Sequence, residues 1–253
     1  MAGMESVSSD TTAKVDLRSV PSALAAPASS YAERVRAAGG VVLNLFGEIG
    51  PEAPLSLKSV KAQLGECSPH RIHFIIDSTG GNIVESKRIF NFLRNQPAKM
   101  SAEVGRYCLS AAVTILLAAA HRMAKIDSEI LLHCARISAT SITLQELKAR
   151  DLRERAEMLE RDDNAAIDML AERTGYCRAW FERQFQNEDT LHVCEALESG
   201  LLHEVVGLSM RCDPRWIEQV RSTPRNVFWP QRYLTTNYFS ACRAALRRSE
   251  DEN

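Results

Sequence analysis

The 253-residue chain is 45% apolar and 25% charged, values ordinary for a globular protein. Its 31 Lys and Arg against 32 Asp and Glu leave a net charge of −1, so nothing global argues for a nucleic-acid or acidic-membrane partner. The longest apolar run, Cys108 to Ala120, spans 13 residues, short of the ~20 a bilayer-spanning helix needs. No secretory signal is visible, and seven scattered cysteines fit a reducing compartment. The expected location is cytoplasmic.

Residues 1–38, rich in Ser, Ala, Thr and Pro, read as a flexible leader, with a short helix open at Tyr31 to Ala38. After Gly39-Gly40, Val41 to Phe46 reads as a buried strand. Leu57, Val60 and Leu64 lie at helical spacing, predicting a helix over 55–65 that stops at Gly65. A strand over 72–77 and a helix over 82–95 follow. Met100 to Val104 is a third strand, Ser110 to His121 an apolar core helix, and 123–126 and 130–133 are short strands. This alternation predicts an α/β domain with a mostly parallel sheet.

Thr143 to Arg173 reads as one long charged helix with a thin apolar stripe, either projecting to a partner or simply solvated. Short helices at 178–185 and 194–199 and a strand at 201–206 complete a domain over 39–210. The extension 211–253 has an amphipathic segment at 216–220, then an aromatic stretch and an Arg-rich end. No internal repeat is present.

The chemistry concentrates at element boundaries. Ser78-Thr79-Gly80-Gly81 ends a strand and opens a helix, so bare backbone N–H groups can face a cleft and stabilise an oxyanion. Ser110 opens the apolar helix and His133 ends a strand; Glu188 and Asp189 sit in a polar turn. Together they point to a serine hydrolase. Each has a plainer reading alone. Ser110 could cap its helix, His133 could be a core histidine, and the carboxylates could be solvated. The glycines could form an ordinary turn or a phosphate cradle, though no nucleotide motif is present. Cys67, His70 and His73 have zinc-like spacing, but no second pair follows, so no metal or other cofactor is expected. Cys108 reads as an inert core thiol.

Four stretches in order carry a family resemblance: FIIDSTGGNIVESKRIFNFL, CLSAAVTILLAAA, EILLHC and EDTLHVCEALESGLLHEVV. Across residues 41–207 the chain resembles the ClpP family of serine peptidases, and its second stretch is closest to the variant in phage head-maturation peptidases. The resemblance implies a ClpP/crotonase-type repeated ββα superhelix with a long projecting helix. It implies a triad of Ser110, His133 and Glu188, with Asp189 second for the acid. It implies an oxyanion hole from the N–H groups of Gly80 and Ala111, and substrate binding at Gly81. It also implies a homo-oligomeric ring acting on polypeptide, with an ATP-driven AAA+ unfoldase as possible partner. Two departures stand out: four residues rather than three separate Gly105 from Ser110, and Thr79 replaces the family's proline. They leave a catalytically inactive scaffold as an alternative. A crotonase-type acyl-CoA enzyme is another. A Ser-Lys signal-peptide peptidase using Lys125 ranks last, since no anchor is visible.

Overall fold

A computed structural model describes residues 30–137, 148–206 and 210–211. Most of the expected leader and nearly all of the expected extension, including 216–220 and the aromatic stretch, lie outside the described residues.

The described chain is an α/β unit. Helix α1 (Tyr31–Ala37) leads into strand β1 (Val41–Phe46), helix α2 (Leu57–Leu64), strand β2 (Arg71–Ser78), helix α3 (Ile83–Arg94) and strand β3 (Lys99–Leu109). Helix α4 (Ala111–Leu116), strands β4 (His121–Lys125) and β5 (Glu129–Leu131) and the long helix α5 (Ala149–Thr174) follow. Helix α6 (Arg178–Asn187), strand β6 (Thr190–Leu191), helix α7 (Val193–Glu198) and strands β7 (Glu204–Val206) and β8 (Met210–Arg211) complete it. The sheet runs β1-β2-β3-β4-β7-β8, parallel from β1 to β7. Strand β5 leaves this path, pairing parallel with the far end of β3 and antiparallel with β6.

Local chemistry accounts for the helix starts. Ser30 and Glu33 form a capping box on α1, whose Ala32 and Val35 are buried, so the packed unit reaches back to Ser30 rather than starting at 39. Asn82 caps α3 by accepting from the Glu85 N–H at 2.9 Å. The buried Glu85 carboxylate accepts from the Leu57 N–H at 2.7 Å, which places a negative charge at the start of α2.

Among the boundaries that differ from the sequence expectation, three bear on the candidate site. Strand β3 continues past Val104 to Leu109. Helix α4 stops at Leu116, because the Ala120 N–H donates to the Met100 carbonyl and turns the chain into β4 at His121. Strand β5 ends at Leu131, so His133 lies just beyond it.

Two of the buried polar side chains, Arg122 and His73, tie separate elements of this core together. Arg122 donates to the carbonyls of Leu201 (2.7 Å), Ala119 (2.7 Å) and Gly200 (2.8 Å), fastening β4 to the turn before β7. Fully buried His73 pairs its Nδ1 with Ser101 Oγ at 3.0 Å and lies against the Tyr31 ring, 5.0 Å between centroids. Burial, then the charges of Arg36 and His121, lower the His73 pKa from 6.5 to about 4. Between those values the unfolded chain binds the extra proton. The stability from neutral His73 is therefore complete above pH 6.5 and is lost as pH falls toward 4. His73→Phe should flatten the fall in urea-unfolding free energy between pH 7 and 4; an unchanged slope would contradict this account.

Candidate active site

Ser110 sits where β3 gives way to α4. Its backbone has φ 57° and ψ −127°, a strained conformation for a residue with a side chain. Its hydroxyl makes no capping hydrogen bond, so the helix-cap reading fails. The Ser110 N–H donates to the Leu131 carbonyl at 2.8 Å, tying the elbow to the strand that leads to His133.

The extra residue before Ser110 is absorbed by a bulge. Ile76 pairs with Val104 and Ser78 with Cys108, so two steps on β2 match four on β3. The Asp77 carboxylate accepts from the N–H groups of Arg106 (3.3 Å) and Tyr107 (3.1 Å), satisfying the displaced backbone. Gly105 makes room, because a Cβ there would stand 3.0 Å from Asp77 Oδ2. Past the bulge the register resumes. Cys108 is fully buried, and burial first, then Asp77, pushes its thiol pKa up, in keeping with an inert core residue.

The paired glycines are fixed from two sides. Ile49 donates its N–H to the Gly80 carbonyl and accepts from the Asn82 N–H, each at 2.8 Å. A Cβ on Gly81 would stand 2.3 Å from the Ile49 carbonyl oxygen. A Cβ on Gly80 would stand 2.7 Å from the Leu109 oxygen, 2.8 Å from Ser110 Cβ and 3.3 Å from the Ala111 nitrogen. Thr79 leaves this turn closed. One expectation changes: the Gly80 N–H is already donated to Ser78 Oγ at 3.1 Å. The Gly81 N–H and the first-turn Ala111 N–H have no partner among the described residues.

Ser110 and His133 line one groove, with about 50 Å³ of free volume. No hydrogen bond joins them. The His133 Nδ1–H donates to the Cys134 carbonyl at 2.6 Å, a tautomer that leaves Nε2 as acceptor. Strands β5 and β6 pair Leu131 with Thr190, two residues short of His133 on one side and of Glu188 on the other. Glu188 is the left-handed cap of α6, and its carboxylate is held by Arg136 instead. Asp189 is exposed, with no polar partner among the described residues.

The sequence reading missed the other wall of the groove. Helix α5 brings Asp162, Asp163, Ala166 and Met169 to it. Asp162 pairs with Lys87 at 2.7 Å, and Asp163 accepts from the Ala135 N–H at 2.6 Å, holding the segment after His133. Burial, then Asp163, raises the Cys134 thiol pKa. The one available signal was the denser apolar spacing at Ala166, Ile167, Met169 and Leu170. Among the described residues no His, Cys, Asp and Glu group could hold a metal ion, and no helix is long and apolar enough to cross a membrane.

The profile of the Clp protease family matches residues 61–208, more than half of the chain and all of the groove's catalytic candidates. The chain belongs to the Clp protease family. No curated protein sequence matches it. Among solved structures it is similar to a ClpP1 mutant from Listeria monocytogenes, with a TM-score of 0.53 and 20% identity over 66% of this chain and 92% of that one. That likeness establishes the ClpP-type α/β fold.

Gly80→Ala tests the close approach. It should destabilise the protein by about 2–4 kcal/mol through overlap and positive-φ strain. Gly39→Ala, at φ 73° with nothing within 4 Å, carries the φ cost alone, about 1–2 kcal/mol. Equal losses in urea unfolding would show that the packing against Ser110 is loose.

Proposed function

We propose that this Clp-family protein is a serine endopeptidase acting on unfolded polypeptide. The observation that carries the reading is the uncapped Ser110 hydroxyl, held on a strained strand-to-helix elbow in one groove with His133. Ser110 Oγ attacks the substrate carbonyl while His133 Nε2 takes its proton, then returns it to the leaving amine. Water hydrolyses the acyl-enzyme by the same route. The unpartnered N–H groups of Ala111 and Gly81 hold the tetrahedral oxyanion, and Gly80 provides the close approach.

Glu188 is the acid, supported by its spacing from the flanking family stretches, with Asp189 second. The Cys134 carbonyl can fix the His133 tautomer but carries no full charge to stabilise an imidazolium. Catalysis therefore needs Glu188 to leave Arg136 and His133 Nδ1 to turn toward it. Assembly supplies the order for that change. The first half of α5 exposes Leu152 and Met158, 53% and 44% accessible, an apolar contact for a second copy in a ring. An ATP-driven unfoldase would deliver substrate, in the cytoplasm. The Cys108–Ala120 segment favours the branch of phage head-maturation peptidases.

A second reading, a catalytically inactive scaffold, is favoured by the Arg136–Glu188 and His133–Cys134 contacts. A fluorophosphonate probe separates the two. The assembled protein should label at Ser110, S110A should not label, and Arg136→Gln should label roughly tenfold faster, a barrier change near 1.4 kcal/mol. No labelling in assembled protein or in the Arg136 variant would establish the scaffold.

A further inference from the structure

A second cavity, of about 390 Å³, lies at the opposite end of the strands from Ser110, where β2, β3 and β4 begin. Its size falls within the range of small-molecule sites. Arg71, Arg94, Lys99 and His121 line it, and no carboxylate does. Arg71, Arg94 and Lys99 make no ion pair or side-chain hydrogen bond among the described residues. His121 faces Glu204 at 3.2 Å. Three cations unpaired among the described residues gather around one cavity, in a chain of net charge −1.

The walls are mixed. Met100, Ala118 and Ala120 give an apolar floor, and Tyr31 presents a ring on one side. Ser101 brings a hydroxyl that also meets buried His73, whose Nε2 has no partner. The guanidinium groups of Arg71 and Arg94 with the Lys99 ammonium suit a phosphate group, whose several charged oxygens can take more than one such partner.

We propose that this cavity binds a multiply charged, phosphate-bearing small molecule, held by Arg71, Arg94 and Lys99 with its less polar part on the Met100–Ala118–Ala120 floor. The site is separate from the peptidase groove and does not depend on that groove being active. Tyr31 belongs to α1 and rests on His73 and His121, so ligand at this cavity also bears on how α1 is held to the sheet.

Inorganic tripolyphosphate is the probe, titrated calorimetrically into the full chain at low salt. Saturable binding is expected. It should weaken roughly tenfold or more in Arg71→Gln/Arg94→Gln/Lys99→Gln, and stay unchanged in the control Lys58→Gln/Arg153→Gln, which neutralises two cations elsewhere. The replaced side chains are exposed and unpaired, so the triple variant should fold, and its urea midpoint checks this. A second readout is independent of affinity. Bound anion offsets the positive field of Arg36 and His121, so the His73 ring should titrate above its value of about 4. Absence of binding, equal weakening in the control, or an unmoved His73 would overturn the proposal. Tighter binding of a hexaglutamate peptide than of tripolyphosphate would overturn the phosphate assignment in favour of a carboxylate-rich chain.

Discussion

The approach of Gly80 to the Leu109–Ser110–Ala111 backbone is the constraint on which this architecture turns. Two adjacent parallel strands end side by side, and both must then enter helices. A side chain at Gly80 would overlap the Leu109 carbonyl oxygen and Ser110 Cβ. With hydrogen there instead, the chain can take a left-handed turn on one strand and a strained elbow on the next. The elbow brings Ser110 to the groove, and the two turns leave N–H groups with no partner among the described residues. Ile49 completes the arrangement by bonding the turn from the far side, so the glycines are held rather than free.

That constraint explains why so much of the site could be read from residue order. Paired glycines after an apolar strand and a serine at a helix start are local signals, and each lies at an element boundary; His133, expected to end a strand, lies two residues past the end of β5. The extra residue before Ser110 was legible as a count but not as a shape. Its outcome depends on Asp77, one strand away, whose carboxylate takes the two displaced N–H groups. Nothing in the spacing from Gly105 to Ser110 specifies that partner. The partner of the Gly80 N–H is equally silent in the spacing: Ser78 Oγ, two residues back, folds onto it, and sequence pattern carries no information on where a hydroxyl rotates.

Helix α5 shows the limit of periodicity in another way. Its composition suggested one long helix, either projecting to a partner or simply solvated. In fact its buried residues, Ile167, Leu170 and Thr174, all lie in the last third. One helix therefore serves two environments. Its C-terminal part walls the groove through Ala166 and Met169, while its N-terminal part leaves Leu152 exposed. An average over 26 residues blurs that division. Asp162 and Asp163 sit at the changeover: Asp162 ties α5 to Lys87 of α3, and Asp163 ties it through the Ala135 N–H to the segment carrying His133.

The balance at Glu188 follows from exposure. The Arg136 and Glu188 side chains are 65% and 35% accessible, and an ion pair so open to water contributes only about 0–1 kcal/mol. A carboxylate facing an imidazolium inside a groove that substrate has dried interacts more strongly, because less water screens it. The Arg136 pairing is thus the more stable one only while His133 is neutral and the groove is wet. Substrate arrival changes both conditions at once, excluding water and creating the charge that Glu188 would answer. On the proposed peptidase reading, the resting contacts and the working triad are two states of one set of side chains, separated by a side-chain rearrangement rather than by a change of fold.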